Sequence, residues 1–343
     1  MGTRPRVTVI MPIRNEAGFI RRSLGSILSQ DYIDGPIQIL IVDGRSDDGT
    51  RELVKSLIRE MDEESSSVRV MLLDNTAGTV PKALNIGIEH ADGDIIVRVD
   101  GHCEIQPDHI RRCIEVLEKT DADNVGGIQQ AYGDRYLGRV IARATSSPFG
   151  VGSARFHYSR KGGWADTVYL GAYRREVFQR FGNFDEEMIR NQDDEFNFRL
   201  TQRGGRIWLD PSIQTTYYVR PSLPRLWKQY FQYGLFKVRV IQKRGGAASF
   251  RHLVPFAFVI ALLTTLTLGF LIGRQELALA VSLPYAAVNL GVSFYTARRD
   301  LSLLPLLPLT FLTLHFSYGL GFAAGLWRWR KHFVKRSRAP QHA

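Results

Sequence analysis

Three long apolar stretches end this chain, and they constrain its fold more than any other feature. Residues 253–273 carry no charged side chain, nor do residues 277–296, and residues 301–327 offer only His315 as a possible charge. A helix rising about 1.5 Å per residue needs about 20 apolar residues to cross a bilayer. Each stretch is therefore predicted to be a membrane span. A buried hairpin of soluble helices is the competing reading, and three such stretches in tandem weigh against it. Charges fall between them, at Arg274 and Glu276, then at Arg298, Arg299 and Asp300.

The flanks complicate the topology. Arg328, Arg330, Lys331, Lys335, Arg336 and Arg338 follow the last stretch without an acid, and the segment before Leu253 is basic as well. Basic flanks favour the cytoplasmic side. Two cytoplasmic ends require an even number of crossings, whereas three stretches are present. Either Pro305 and Pro308 break the third into a re-entrant piece, or the charge rule fails; the sequence leaves both open.

The formal net charge of +11 is unevenly distributed: residues 1–195 sum to −6, residues 196–252 to +10 and residues 253–343 to +7. Positive charge that flanks apolar spans, beside an acidic body, argues against a nucleic-acid partner. Cys103 and Cys113 are the only cysteines and form no disulfide or zinc framework. A strand-like run begins at Arg6 with no leader before it, so the acidic body is expected in the cytoplasm, attached to a multi-pass inner-membrane anchor.

Within the body, apolar runs alternate with helical stripes. Strands are predicted at 6–11, 37–42, 68–73 and 94–99, and helices at 17–30, 50–61, 81–89 and 107–119. This βαβα order implies an α/β fold with a mostly parallel sheet covered by helices. Such sheets bind ligands beyond the carboxyl ends of their strands. Polar residues cluster there. Pro12, Arg14, Asn15 and Glu16 end the first strand, Asp43 to Thr50 the second, and Asp100, Gly101, His102, Cys103 and Glu104 the fourth. Asp47, Asp48 and Thr50 also suit plain turn and helix-cap chemistry.

Alternate residues of an extended segment share a face. Asp100, His102 and Glu104 are thus expected to converge on one divalent ion, Mg²⁺ or Mn²⁺, the imidazole leaning toward Mn²⁺. A second acidic knot, Gln192-Asp193-Asp194-Glu195, opens a helix. Its acids either serve the helix dipole or supply a general base. No P-loop, GxSxG elbow or zincin motif is present. The segment 226–237 mixes Trp227, Tyr230, Phe231, Tyr233 and Phe236 with Lys228 and Lys237. It reads as an amphipathic helix, lying in a membrane interface or packed on the body.

These motifs, in this order, resemble the family 2 glycosyltransferases over residues 6–240. Val7 to Glu16 resembles the first strand and donor loop, and Ile41 to Thr50 the second motif. Val99-Asp100-Gly101-His102 sits at the metal motif, and Gln192-Asp193-Asp194-Glu195 at the acceptor motif, with Arg199 following. The Asp-Gly-His variant and the apolar end look most like membrane-attached succinoglycan-type glucosyltransferases. Three positions depart from the pattern. Gly44 replaces a second aspartate, His102 replaces the second metal aspartate, and Gln192 replaces a usual glutamate, leaving Asp193 as the matched base.

The resemblance implies a nucleotide-sugar-binding GT-A domain at 1–220, a basic interfacial segment at 221–252, a transmembrane region at 253–327 and a basic tail at 328–343. It implies an inverting, metal-dependent transfer from a nucleotide sugar, UDP-glucose first, to a lipid-linked saccharide acceptor. Pro12, Arg14, Glu16, Asp43, Lys82 and Asp100 would bind the donor. Asp100, His102 and Glu104 would hold the metal, and Asp193 would be the base. Asp194, Glu195, Trp227, Gln229 and Tyr233 would lie on the acceptor side. A processive polysaccharide synthase, or an inactive membrane-anchored sugar-nucleotide binder, is the alternative; no Gln-x-x-Arg-Trp motif supports the former.

Overall fold

A computed structural model describes residues 4–32, 35–63, 68–246 and 250–331. The chain opens with β1 (Val7–Ile13), α1 (Ile20–Leu28), β2 (Ile37–Asp43), α2 (Thr50–Glu63), β3 (Arg69–Asp74), α3 (Val80–His90) and β4 (Ile95–Arg98). β5 (Cys103–Ile105), α4 (His109–Thr120), β6 (Asn124–Tyr132), α5 (Tyr136–Thr145) and α6 (Pro148–Val151) follow. Then come β7 (Gly163–Trp164), β8 (Tyr169–Arg174), α7 (Glu176–Phe181), α8 (Gln192–Gln202) and β9 (Ile207–Tyr218). Four helices end the described chain: α9 (Leu223–Arg244), α10 (Val254–Leu271), α11 (Leu279–Ala297) and α12 (Leu307–Arg328).

β1 and β2 are buried at every position, as strands covered on both faces must be. Alternate residues feed two layers of core. Val9 and Met11 pack with Ile20, Leu24 and Ile110 from α1 and α4. Ile10 faces the other way, toward Leu84, Phe178 and Phe196 from α3, α7 and α8. The sheet order is β3-β2-β1-β4-β8-β6-β9-β5, with β7 on β9. β3, β2, β1 and β4 run parallel; β8 pairs antiparallel with β4 and β6, and β5 with β9. This is the α/β, mostly parallel arrangement that the alternation predicts. Strand order reverses beside β1, since β2 and β4 flank it, and the carboxyl ends there are where sheets of this kind bind their ligands. The register places Ile13 level with Asp43, and Asp43 level with Asp74, along that edge.

Two compact units result. One comprises residues 1–130 and 155–218; the other comprises residues 131–154 and 219–343. A contiguous body ending near 220 is therefore not what forms, because α5 and α6 belong with the C-terminal helices. The second unit contains the three apolar helices, each long and apolar enough to cross a membrane. Pro305 and Pro308 do not break the third: residues 301–303 form a short 3₁₀ turn, and Pro308 occupies the first turn of α12, where its missing N–H costs nothing. Of the basic tail, Lys335, Arg336 and Arg338 lie outside the described residues.

Candidate active site

The loops after β1 and β2 are stapled to each other. Asn15 and Arg45 adopt left-handed backbone, with φ of 58° and 62°. Asn15 Nδ2 donates to Asp47 Oδ1 at 2.8 Å, and the Asp47 N–H donates back to Asn15 Oδ1 at 3.0 Å. The Glu16 N–H donates to Thr50 Oγ1 at 2.8 Å, and the Ala17 N–H to Asp48 Oδ2 at 3.2 Å. Burial alone would raise the Asp48 carboxyl, but hydrogen bonds from Thr50 and Ala17 outweigh it and hold its pKa below the usual value. Asp47, Asp48 and Thr50 thus carry the turn-and-cap role. Asp43, buried at the end of β2, accepts from Ser46 Oγ at 2.6 Å and from Arg51 Nη1 at 3.2 Å. Arg51 also reaches Asp74 at 2.6 Å.

Pro12 is buried in β1, and Arg14, just past its end, donates to the Gly78 carbonyl at 3.0 Å. Lys82 stands in the first turn of α3 and pairs with Glu186 at 3.1 Å. Five of the six expected donor residues thus come from the ends of β1, β2 and β4 or the turns beyond them, and Lys82 opens the helix after β3.

The segment after β4 is a turn, not an extended run: the Cys103 N–H donates to the Asp100 carbonyl at 3.0 Å. Alternation therefore fails, and the expected trio does not form. Asp100, His102 and Cys103 bring one ligand atom each within 4.8 Å of one another. Glu104 instead lies in β5 and accepts from Tyr218 Oη at 2.6 Å. The Cys103 thiol hydrogen-bonds Tyr169 Oη at 2.8 Å, and burial pushes its pKa far up, so it stays protonated and is a poor ligand. That leaves Asp100 and His102 as the fitting donors. His102 Nδ1 lies 3.0 Å from Glu16 Oε1. A carboxylate on one imidazole nitrogen orients the other toward an ion, the usual support of a metal-ligating histidine. The oxygen-plus-imidazole donor set suits Mn²⁺ or Mg²⁺. Gly101 permits the approach: a Cβ there would lie 2.8 Å from Ile13 Cγ2 and 3.1 Å from Glu16 Cγ.

Sequence reasoning missed Arg98. It ends β4 and grips Asp100 with both arms, Nε to Oδ1 at 2.7 Å and Nη2 to Oδ2 at 3.0 Å. Its side chain is 13% exposed. The only signal was one cation at the end of an apolar strand. Asp193, in the first turn of α8, shares this surrounding. Desolvation raises its pKa above the usual carboxylate value, the neighbouring Asp194 and Asp100 push the same way, and the Arg98 charge opposes them. Glu195 does not face an acceptor. It is fully buried and pairs with Arg199 at 3.2 Å, while Arg199 donates onward to the carbonyls of Phe181 and Asn183. One turn of helix carries it to the core side of α8. Trp227, Gln229 and Tyr233 lie on α9 in the second unit, where Gln229 Nε2 donates to Tyr233 Oη at 2.8 Å.

The family model described as glycosyl transferase family 2 matches residues 8–182. A dolichyl N-acetyl-alpha-D-glucosaminyl phosphate 3-beta-D-2,3-diacetamido-2,3-dideoxy-beta-D-glucuronosyltransferase of Methanococcus voltae is 28% identical over 93% of this chain and 97% of its own. The succinoglycan biosynthesis protein ExoA of Rhizobium meliloti is 28% identical over 96% of both chains. Among solved structures, the mannosyltransferase PcManGT of Pyrobaculum calidifontis, in complex with GDP-Man and Mn²⁺, superposes with a TM-score of 0.62 at 21% identity. It covers 95% of this chain and 88% of its own.

Proposed function

We propose that this chain, which belongs to glycosyl transferase family 2, moves a sugar from a nucleotide-diphosphate donor to a hydroxyl of a lipid-linked saccharide. The observation that carries this reading is the Asp100–Arg98–Asp193 constellation beside the carboxyl ends of β1 and β4. A carboxylate for the donor side and a carboxylate for the acceptor side share one buried cation.

Asp193 is the general base. As the acceptor oxygen attacks the anomeric carbon, its proton passes to the Asp193 carboxylate, and the bond from that carbon to the diphosphate oxygen breaks. One displacement inverts the anomeric configuration. The raised pKa suits this role, because a base works best when its affinity for a proton approaches the working pH. Asp100 and His102 would hold Mg²⁺ or Mn²⁺, whose charge, when bound, neutralises the leaving diphosphate. Arg98 fixes the plane of the Asp100 carboxylate, and Glu16 fixes the His102 ring. Asp43, Pro12, Arg14 and Lys82 bind the nucleotide part of the donor.

The relative named for a dolichyl-linked substrate supports a lipid-linked acceptor. Resemblance to the succinoglycan-type enzymes favours UDP-glucose as donor. The three apolar helices support attachment to a membrane; in this reading the chain is multi-pass and its catalytic unit faces the cytoplasm, where nucleotide sugars are made.

Membranes containing the full chain, given radiolabelled UDP-glucose, other UDP-sugars or GDP-mannose with Mg²⁺ or Mn²⁺, should pass label into lipid extracts. Asp193→Asn should keep donor binding and lose about 10²- to 10⁴-fold in turnover, the usual worth of a general base. Near-wild-type turnover removes Asp193 from the role, and no incorporation from any donor overturns the reading.

A further inference from the structure

The three apolar helices are not equivalent. In the most apolar windows of α10 and α11 only 11% and 17% of residues are buried, against 50% for α12. Mean hydropathy falls in the same order, from 2.2 and 1.6 to 1.3. α10 and α11 present large apolar side chains around much of their circumference, with Phe270 76%, Leu283 60% and Phe294 60% exposed. Water does not tolerate a continuous apolar surface of that extent.

α12 is covered by its own chain: by the basic helix α9, by α5 and α6, and by the first turns of α10, where a Cβ on Gly319 would lie 2.6 Å from the Pro255 carbonyl and Phe256 meets Phe322 at 5.0 Å. Gly321 and Gly325 lie so near α9 that a Cβ would collide with the Phe231 carbonyl at the first and come 2.6 Å from the Leu235 carbonyl at the second. Further on, Phe236 meets Trp329 at 5.4 Å, and Gln242 Nε2 donates to the Trp329 carbonyl at 3.0 Å. α9 and the second half of α12 therefore lie side by side at one depth. α9 carries Arg225, Lys228, Lys237, Arg239, Lys243 and Arg244, with Lys237 midway along it and buried. A helix with that charge does not lie in hydrocarbon, where each cation costs about 2.5–3.5 kcal/mol on insertion scales.

The first half of α12 is held by the 131–154 segment and by α11, whose Asn289 Nδ2 donates to the Pro308 carbonyl at 3.0 Å. His315 donates from Nε2 to the Phe149 carbonyl at 2.7 Å and accepts from Tyr285 Oη on Nδ1 at 2.9 Å. The turn before α12 is tied to α5, where Tyr136 Oη donates to the Ser302 carbonyl at 2.6 Å and Arg139 faces Asp300 at 3.7 Å.

We infer that α10 and α11 alone cross the bilayer, as a two-pass hairpin in lipid, and that α12 stays on the near side under α9 and α5. The turn at Arg274–Glu276 then lies on the far side. Lys243 and Arg244 before α10, and Arg328, Arg330 and Lys331 at the end of α12, then share the near side, as the bias of Lys and Arg favours. Two crossings remove the parity conflict that three apolar stretches create. The inference rests on the reading of the chain as a membrane protein.

Single cysteines at Gly246, Gln275, Arg299 and Arg330 of the full chain, in right-side-out and inverted membrane vesicles, test it with a membrane-impermeant maleimide. Cys103 and Cys113 are buried, so they leave the background silent. Gln275→Cys should label from one side only, and the other three variants only from the opposite side. Label on Arg330→Cys from the Gln275 side means three crossings and overturns the inference, with membrane attachment intact. Four positions labelled from one side in a chain that resists alkaline carbonate mean a hairpin that does not cross, which also overturns it. The same labelling in a chain that carbonate releases removes the membrane reading itself.

Discussion

The loop after β2 and the group formed by the β4 turn with the start of α8 both hold aspartates near the carboxyl edge of one sheet, yet these carboxylates are engaged by different donors. Asp47 and Asp48 accept from backbone N–H groups and side chains of the neighbouring loop, which spends their lone pairs on closing two turns. Asp100 is held by a guanidinium fork from one side. Asp193 is kept poorly solvated beside the same cation. A carboxylate tied to backbone stabilises a loop. One that a cation orients, near other carboxylates and partly desolvated, is poised to meet a ligand or a proton. Substitutions at each kind of position should separate these roles.

Arg98 should give the largest effect. Arg98→Ala leaves Asp100 and Asp193 near each other with no cation between them. Breaking a buried ion pair by removing one partner costs about 3–5 kcal/mol, so the variant should unfold earlier on heating. Its remaining turnover should show a shifted acid limb. In the wild type, activity falls as pH drops through the raised pKa of Asp193, above the ordinary aspartate value of about 3.9. Arg98 opposes that rise, so its loss moves the limb to higher pH. Arg98→Lys restores the charge but not the fork. It should keep the limb near its wild-type position while losing about 10- to 100-fold in turnover, the worth of about 1.5–3 kcal/mol of charge-assisted hydrogen bonding. An unmoved limb in Arg98→Ala breaks the comparison at its centre.

Glu195 comes next, and it should affect only stability. Glu195→Gln leaves Arg199 without its buried counter-charge, for a cost of about 3 kcal/mol. Denaturation of the detergent-solubilised chain should shift accordingly, while turnover per folded molecule and acceptor KM stay unchanged. A change in acceptor KM would return Glu195 to the acceptor side, where its motif position suggested it belongs.

The sequence signalled the first four strands and their helices because apolar period and Pro or Asp punctuation agree there. β1 and β2 read as unbroken apolar runs and are buried throughout. The Asp100, His102 and Glu104 expectation failed for one local reason: a single backbone hydrogen bond from Cys103 to Asp100 turns the chain and sends Glu104 to Tyr218. No periodicity encodes that turn. Glu195 was misplaced because motif position says which residues share a turn of helix but not which face the core. Arg98 went unnoticed because its partner lies two residues on, a spacing that usually marks one face of a strand rather than a chelate. The allegiance of residues 131–154 to the second unit depends on contacts with residues far along the chain, such as Phe149 with His315, 166 positions away. Pattern within a short window carries nothing about these.

The smallest effect tests the other half of the comparison. Asp48→Ala removes the acceptor for Thr50 and Ala17, and a turn or cap bond of this kind is worth about 0.5–2 kcal/mol. Because the folded-state pKa of Asp48 lies below its unfolded value, its contribution is present above about pH 4 and is lost as pH falls through the folded value. The stability gap between wild type and Asp48→Ala should therefore be constant at neutral pH and close in acid. Turnover measured well below the unfolding temperature should stay within a few-fold of wild type, since Asp48 is engaged by Thr50 of its own loop and Ala17 of the adjoining one. A loss as deep as that of Asp193→Asn, at unchanged stability, would mean that backbone-bonded acids on this edge also touch the donor, and the distinction between the two regions would not hold.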